Sequence, residues 1–99
     1  MNPDLESILN DAKILHVEGL NCAETVFWAL TKYWDIDIPF SVATGLGGGG
    51  PCGALLGAIL AIGAKVGRED PADTDSKVEC LRLGQEVTET FVEVMGSGA

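Results

Sequence analysis

Basic residues are scarce in this chain: six Lys and Arg stand against fifteen Asp and Glu, for a formal charge of −9. Phosphate backbones are bound by basic faces, so this balance excludes a nucleic-acid role, and anionic membranes offer no attraction either. Cysteine is sparse and widely spread. Only Cys22, Cys52 and Cys80 occur, an odd number unlike the dense disulfide framework of a small secreted scaffold, and no CxxC or CxxH pair is present. The opening MNPDLESILND has neither a cationic segment nor an apolar one, so no secretory signal is expected and a cytoplasmic protein with reduced thiols is. A membrane span is missing too. The uncharged run from Ile38 to Ala64 is broken by glycines and Pro51, and its second half, Cys52 to Ala64, is thirteen residues, short of the roughly 20 that a span requires.

What is present is a glycine-rich turn followed by an apolar helix. The stretch from Thr44 to Val66 reads TGLGGGGPCGALLGAILAIGAKV. With Gly50 as cap and Pro51 at the first helical position, Cys52 falls in the first turn among unpaired backbone N–H groups, an environment that stabilises a thiolate. Beyond it Gly53, Gly57, Ala61 and Ala64 line one side of the helix, so that another helix or a flat cofactor can approach closely, at roughly 1 kcal/mol of helix propensity per glycine.

The 99 residues make a single domain, residues 1–99, which buries something like 65% of the surface its unfolded chain exposes. Its core is thin, and a homodimer would help it. Asn2, Pro3 and Asp4 read as the start of a helix running to about Val17, with Leu5, Ile8, Leu9, Ala12, Leu15 and His16 as its buried stripe and Gly19 as its stop. Asn21 caps a second helix with Glu24 three residues on, which places Cys22 at the first helical position and repeats the arrangement at Cys52. This helix carries Ala23, Val26, Phe27, Leu30 and Trp34 on one face and ends near Trp34, because Asp35, Asp37 and Pro39 continue a helix poorly. FSVAT, residues 40–44, is expected to be a short helix. Gly67 ends the third main helix. The fourth, from Pro71 or Asp73 to Met95, places Cys80, Leu83, Gly84, Val87, Phe91 and Val94 on one side and sets Arg82 within reach of Glu79 and Glu86. The expected fold is an all-α bundle of four main helices.

Thiols on three helices could converge as a soft-ligand set for zinc, copper(I) or an iron–sulfur cluster, or cycle through a disulfide. Against this stands the ordinary use of cysteine as a small buried hydrophobe. The helix starts favour function for Cys22 and Cys52 over Cys80. His16 could complete a coordination sphere, although a hydrogen-bonded core histidine is the simpler expectation; Glu18 and Glu24 are explained by solvation and capping. Gly45, Gly47 and Gly50 satisfy GxGxxG, but no second parallel strand follows, and Pro51 and Cys52 stand where a Walker loop needs lysine and a hydroxyl. Gly47, Gly48, Gly49, Gly50 and Gly53 are therefore read first as backbone room beside Cys52, which a cofactor could also use.

NCAETVFWAL, the GLGGGG turn and CGALLG together resemble the bacterial and archaeal C-GCAxxG-C-C family of redox-active proteins. Cys22, the turn Gly45 to Gly50, and Cys52-Gly53-Ala54 with Gly57 match that pattern in order and spacing, and FVEVMGS resembles the stretch before the family's last cysteine. The resemblance implies a redox-active or metal-binding protein, with iron–sulfur or zinc as candidate cofactors and an electron-transfer partner. Three cysteines do not close a four-thiolate site: the chain is truncated, or the site is open, is completed by His16 or a carboxylate, or is shared across a dimer. Cys22 and Cys52 are the expected reactive pair and Cys80 a third ligand or resolving thiol. The competing expectation is a non-catalytic helical interaction module with structural cysteines, and nucleotide binding at the glycine turn ranks behind both.

Overall fold

The computed structural model describes residues 4–48 and 52–95. Four α-helices and one 3₁₀ segment follow in order: α1 (Leu5–Glu18), α2 (Cys22–Tyr33), the 3₁₀ segment (Phe40–Gly48), α3 (Gly53–Val66) and α4 (Thr74–Met95). The protein is all-helical, with no strand among the described residues. No helix among them is long and apolar enough to cross a membrane.

The helix that opens the chain is capped by Asp4, whose carboxylate accepts the Ser7 N–H at 3.3 Å. Asn2 and Pro3, the expected start, lie outside the described residues. Gly19, at φ 135°, closes α1 and donates to the Leu15 and His16 carbonyls, a conformation in which a side chain would be strained. The expected buried stripe is narrower than its pattern: Ile8 and Ala12 are buried, whereas Leu5, Leu9 and His16 are exposed. The reason is that, among the described residues, α1 packs against α2 alone.

In α2 both halves of the capping box form. The Asn21 side chain accepts the Glu24 N–H at 2.8 Å, and the Glu24 carboxylate accepts the Asn21 N–H at 2.9 Å. The helix ends as expected at Trp34, and Asp35 turns the chain in a left-handed conformation at φ 57°. Ala23 and Phe27 are fully buried and form the core with Ala43 of the 3₁₀ segment and Ala61 of α3; Leu30, Trp34 and Leu60 pack around them. FSVAT is indeed helical, as the first part of the longer 3₁₀ segment.

The small-residue face of α3 lies against α2. A Cβ on Gly57 would stand 2.5 Å from the Ala23 carbonyl oxygen, and one on Gly53 would stand 3.4 Å from the Ala23 nitrogen. At the far end the Lys65 ammonium lies 4.6 Å from the centre of the Trp34 ring. Start meets start and end meets end, so α2 and α3 run parallel, and the segment between them has to return the chain along their full length.

Asp73 caps α4 by accepting the Ser76 N–H at 3.0 Å, and Arg82 bridges Glu79 and Glu86 as its spacing requires. Among the described residues this helix packs on α3 alone. Leu83, Val87 and Phe91 are half-buried, but Val94, assigned from pattern to the same face, is exposed because α3 is shorter than α4. The four main helices therefore pack in chain order, each on its neighbour, as an open array among the described residues rather than a closed bundle.

Candidate functional site

Two helix starts come together at one corner. Cys22 is the first residue of α2 and is exposed; Cys52 precedes the first residue of α3 and is half-buried. The expectation that Gly50 caps α3 is corrected by the backbone of Cys52: its dihedrals are extended (φ −119°, ψ 120°) and its carbonyl accepts the Leu56 N–H at 3.0 Å, so Cys52 is itself the cap. Its thiol makes no capping hydrogen bond. Pro51 lies outside the described residues, as do Gly49 and Gly50.

The close approach of α3 to α2 bounds the separation of the two cysteines. A Cβ on Gly53 would lie 3.6 Å from the Cβ of Cys22, and Cys52 is the adjacent residue. Consecutive Cα atoms being 3.8 Å apart, Cys22 and Cys52 have Cα atoms within about 10 Å of one another. A disulfide needs Cα atoms about 4.4–6.8 Å apart, and beyond about 7 Å it requires the backbone to move.

Beneath the pair lies a polar cluster. Glu24 is buried. One of its carboxylate oxygens accepts the Asn21 N–H; the other accepts the Thr44 hydroxyl at 2.6 Å. The Asn21 side-chain amide also donates to the Thr44 carbonyl at 3.2 Å, and Thr25 donates to the Asn21 carbonyl at 2.8 Å. The Thr44 hydroxyl foremost, and the Asn21 N–H after it, hold the Glu24 carboxyl below its ordinary value of 4.5. Sequence reasoning explains Glu24 by capping and passes over Thr44. Its capping-box spacing identifies one partner of the carboxylate, but nothing local identifies a partner twenty residues away.

The other candidates are placed elsewhere or used differently. His16 is exposed rather than buried, and its Nδ1 lies 2.8 Å from the Leu20 carbonyl and 3.3 Å from the Thr25 hydroxyl. A carbonyl only accepts, so Nδ1 is the donor in the contact with Leu20. Cys80 sits in a shallow apolar depression with Ile59 and Gly84 between α3 and α4. Ile59 is six residues past Gly53, about 9 Å along the helix. No group of three or more His, Cys, Asp or Glu among the described residues is placed to hold a metal ion, so Cys22, Cys52, Cys80 and His16 are not gathered into one coordination sphere. Where Gly47 leaves room, the Asn21 side chain fills it, with the amide nitrogen 2.5 Å from where a Cβ would be. The room left by Gly53 is taken by Cys22 and Ala23. Gly48 ends the 3₁₀ segment.

Fold and site together define a small all-helical protein with two thiols at adjoining helix starts. The family model described as "Putative redox-active protein (C_GCAxxG_C_C)" matches residues 20–98, and the chain belongs to that family. No curated protein and no solved structure matches it.

Proposed function

We propose that this chain is a thiol–disulfide redox protein in which Cys22 and Cys52 are the reacting pair. The observation that carries the reading is the contact of Gly53 with Cys22, which brings the two thiols to one corner while leaving Cys22 exposed and Cys52 half-buried. In the forward direction the Cys22 thiolate attacks a disulfide of the partner and forms a mixed disulfide, releasing one partner thiolate. Cys52 then attacks the Cys22 sulfur, closes the internal disulfide and releases the second partner thiolate, so two electrons leave the protein and reduce the partner. The partner is a protein or small molecule carrying a disulfide, and the cytoplasm is where such a pair would be kept reduced.

A zinc or iron–sulfur site fits the described residues less well. Cys22 and Cys52 offer two soft ligands, and neither Cys80 nor His16 joins them; a homodimer would have to bring the others. The exposed Leu5, Leu9, Val78 and Leu81 are apolar surface that a second copy could cover. Cys80 serves as a small apolar side chain between α3 and α4.

Equilibration with oxidised glutathione, followed by peptide mapping, tests the reading. The expected product is one intramolecular disulfide joining Cys22 and Cys52, unchanged in Cys80→Ser. A mapped bond to Cys80, or no internal disulfide at any glutathione ratio, overturns it.

A further inference from the structure

The chain ahead of Cys52 is fastened to α2 at a second place, independent of the α2–α3 packing. Three contacts make this fastening, and all of them join Thr44 and Gly47 of the 3₁₀ segment to the start of α2. The Thr44 hydroxyl donates to Glu24, the Thr44 carbonyl accepts from the Asn21 amide, and Gly47 has no side chain because Asn21 fills that space. Glu24 and Asn21 are in turn locked to each other by the capping box. The clamp therefore spans the sequence between the two cysteines and closes on the residues flanking Cys22.

From this we infer that Glu24 and Thr44 are positioning residues for the Cys22–Cys52 pair, holding it together in the dithiol state so that the disulfide closes with little further ordering. The inference rests on the redox reading of the pair given above. Its physical content is an effective concentration. Two thiols on a loosely held chain lose conformational freedom when they join, whereas two thiols held near each other have already lost it. Removing the clamp leaves the oxidised form tethered by its own S–S bond and loosens the reduced form alone, so the balance moves toward the dithiol. A purely structural contact would weaken both forms alike and leave that balance where it was.

The reaction measured is protein dithiol plus oxidised glutathione giving protein disulfide plus two reduced glutathione, so its electrons and protons close. Its equilibrium constant is determined for the wild type and for Thr44→Val, Thr44→Ser and Glu24→Gln, with helix content checked by circular dichroism. Thr44→Val keeps the shape and loses the donor. Glu24→Gln keeps one acceptor oxygen for the Asn21 N–H and can meet the Thr44 hydroxyl only with its amide N–H, so a charge-assisted bond is replaced by a weaker neutral one. Both are expected to lower the constant by roughly three- to tenfold, the equilibrium equivalent of one hydrogen bond's net contribution, while Thr44→Ser, which keeps the hydroxyl, stays near the wild type. Should Glu24→Gln fail to fold, the Thr44 pair decides alone. Constants equal across the variants, with the Cys22–Cys52 bond forming in each, overturn the clamp and leave the redox reading standing. A wild type that forms no such bond removes the redox reading itself, and the clamp with it.

Discussion

Gly57 is where the geometry makes its strongest demand. A Cβ there would lie 2.5 Å from the Ala23 carbonyl oxygen and 3.0 Å from the Ala23 Cα. Both are backbone atoms in the first turn of α2 and cannot swing aside as a side chain can, so Gly57→Ala has to push α3 away from α2. Overpacking of this kind costs about 1–3 kcal/mol. The substitution also gains helix propensity, about 1 kcal/mol, which would obscure a single measurement. Gly63 supplies the control: it lies in the same helix, and a Cβ there meets nothing within 4 Å. The propensity gain is common to both, so the difference between Gly57→Ala and Gly63→Ala isolates the overpacking. Gly63→Ala is expected to raise stability by about 0.5–1 kcal/mol and Gly57→Ala to fall about 1–3 kcal/mol below it. For a domain of this size each kcal/mol moves the midpoint by about 4–8 °C, so the two midpoints should stand at least about 4 °C apart in a thermal unfolding followed by circular dichroism. Two variants of equal midpoint would refute the claim that α3 rides directly on the backbone of Ala23, and with it the placement of Cys52 beside Cys22.

The capping network makes two further predictions. Asn21→Ala removes the acceptor of the Glu24 N–H and the donor to the Thr44 carbonyl together, and urea unfolding is expected to show a loss of about 1–2 kcal/mol; a loss near zero would mean that α2 is held by packing alone. The Glu24 carboxyl lies below its ordinary value of 4.5 because its ionised form accepts from Thr44 and Asn21. The stability it contributes is therefore complete above about pH 4.5 and is lost as the pH falls through the lower folded value. Wild type should lose stability faster than Glu24→Gln below pH 4.5, and parallel acid titrations of the two would contradict the assignment.

Much of this was legible in the sequence where a local rule was sufficient. Asn21 and Glu24 are three residues apart, which is the capping box; Arg82 stands three and four residues from its two acids; Gly19 and Gly67 follow the last periodic residue of their helices. Gly53, Gly57 and Ala61 announced a close helix contact by size alone, though not which helix would come. Local rules misplaced boundaries by a residue or two where several caps competed, as at Asp4 and Cys52. They failed for burial on α1 and α4, because a periodic apolar face shows what a helix can bury and not how much partner surface it meets. They also could not find Thr44, whose importance is its bond to a carboxylate twenty residues earlier in the chain.

The parallel pairing of α2 and α3 explains why the thiols and the clamp share one corner. Antiparallel neighbours offset each other's dipoles; parallel ones place two N-termini, each carrying roughly half a positive charge, side by side. Such a pairing also requires a return connection as long as the helices. The twelve residues of α2 span about 18 Å, and the nine of the 3₁₀ segment, at about 2 Å each, cover the same distance. That segment runs back to the crowded positive end, where Thr44, its fifth residue, meets the one carboxylate in the first turn of α2. Glu24 offsets part of the accumulated potential, and an ionised thiol at Cys22 or Cys52 would offset more. Cys80 has no such setting, because it lies nearly two turns inside α4, whose start is served by Asp73, and the field of a helix end fades within its first turn. Alkylating Cys22 and Cys52, which adds bulk at this corner without the cross-link that a disulfide provides, should therefore loosen the N-terminal ends of these two helices before it disturbs their packed C-terminal ends.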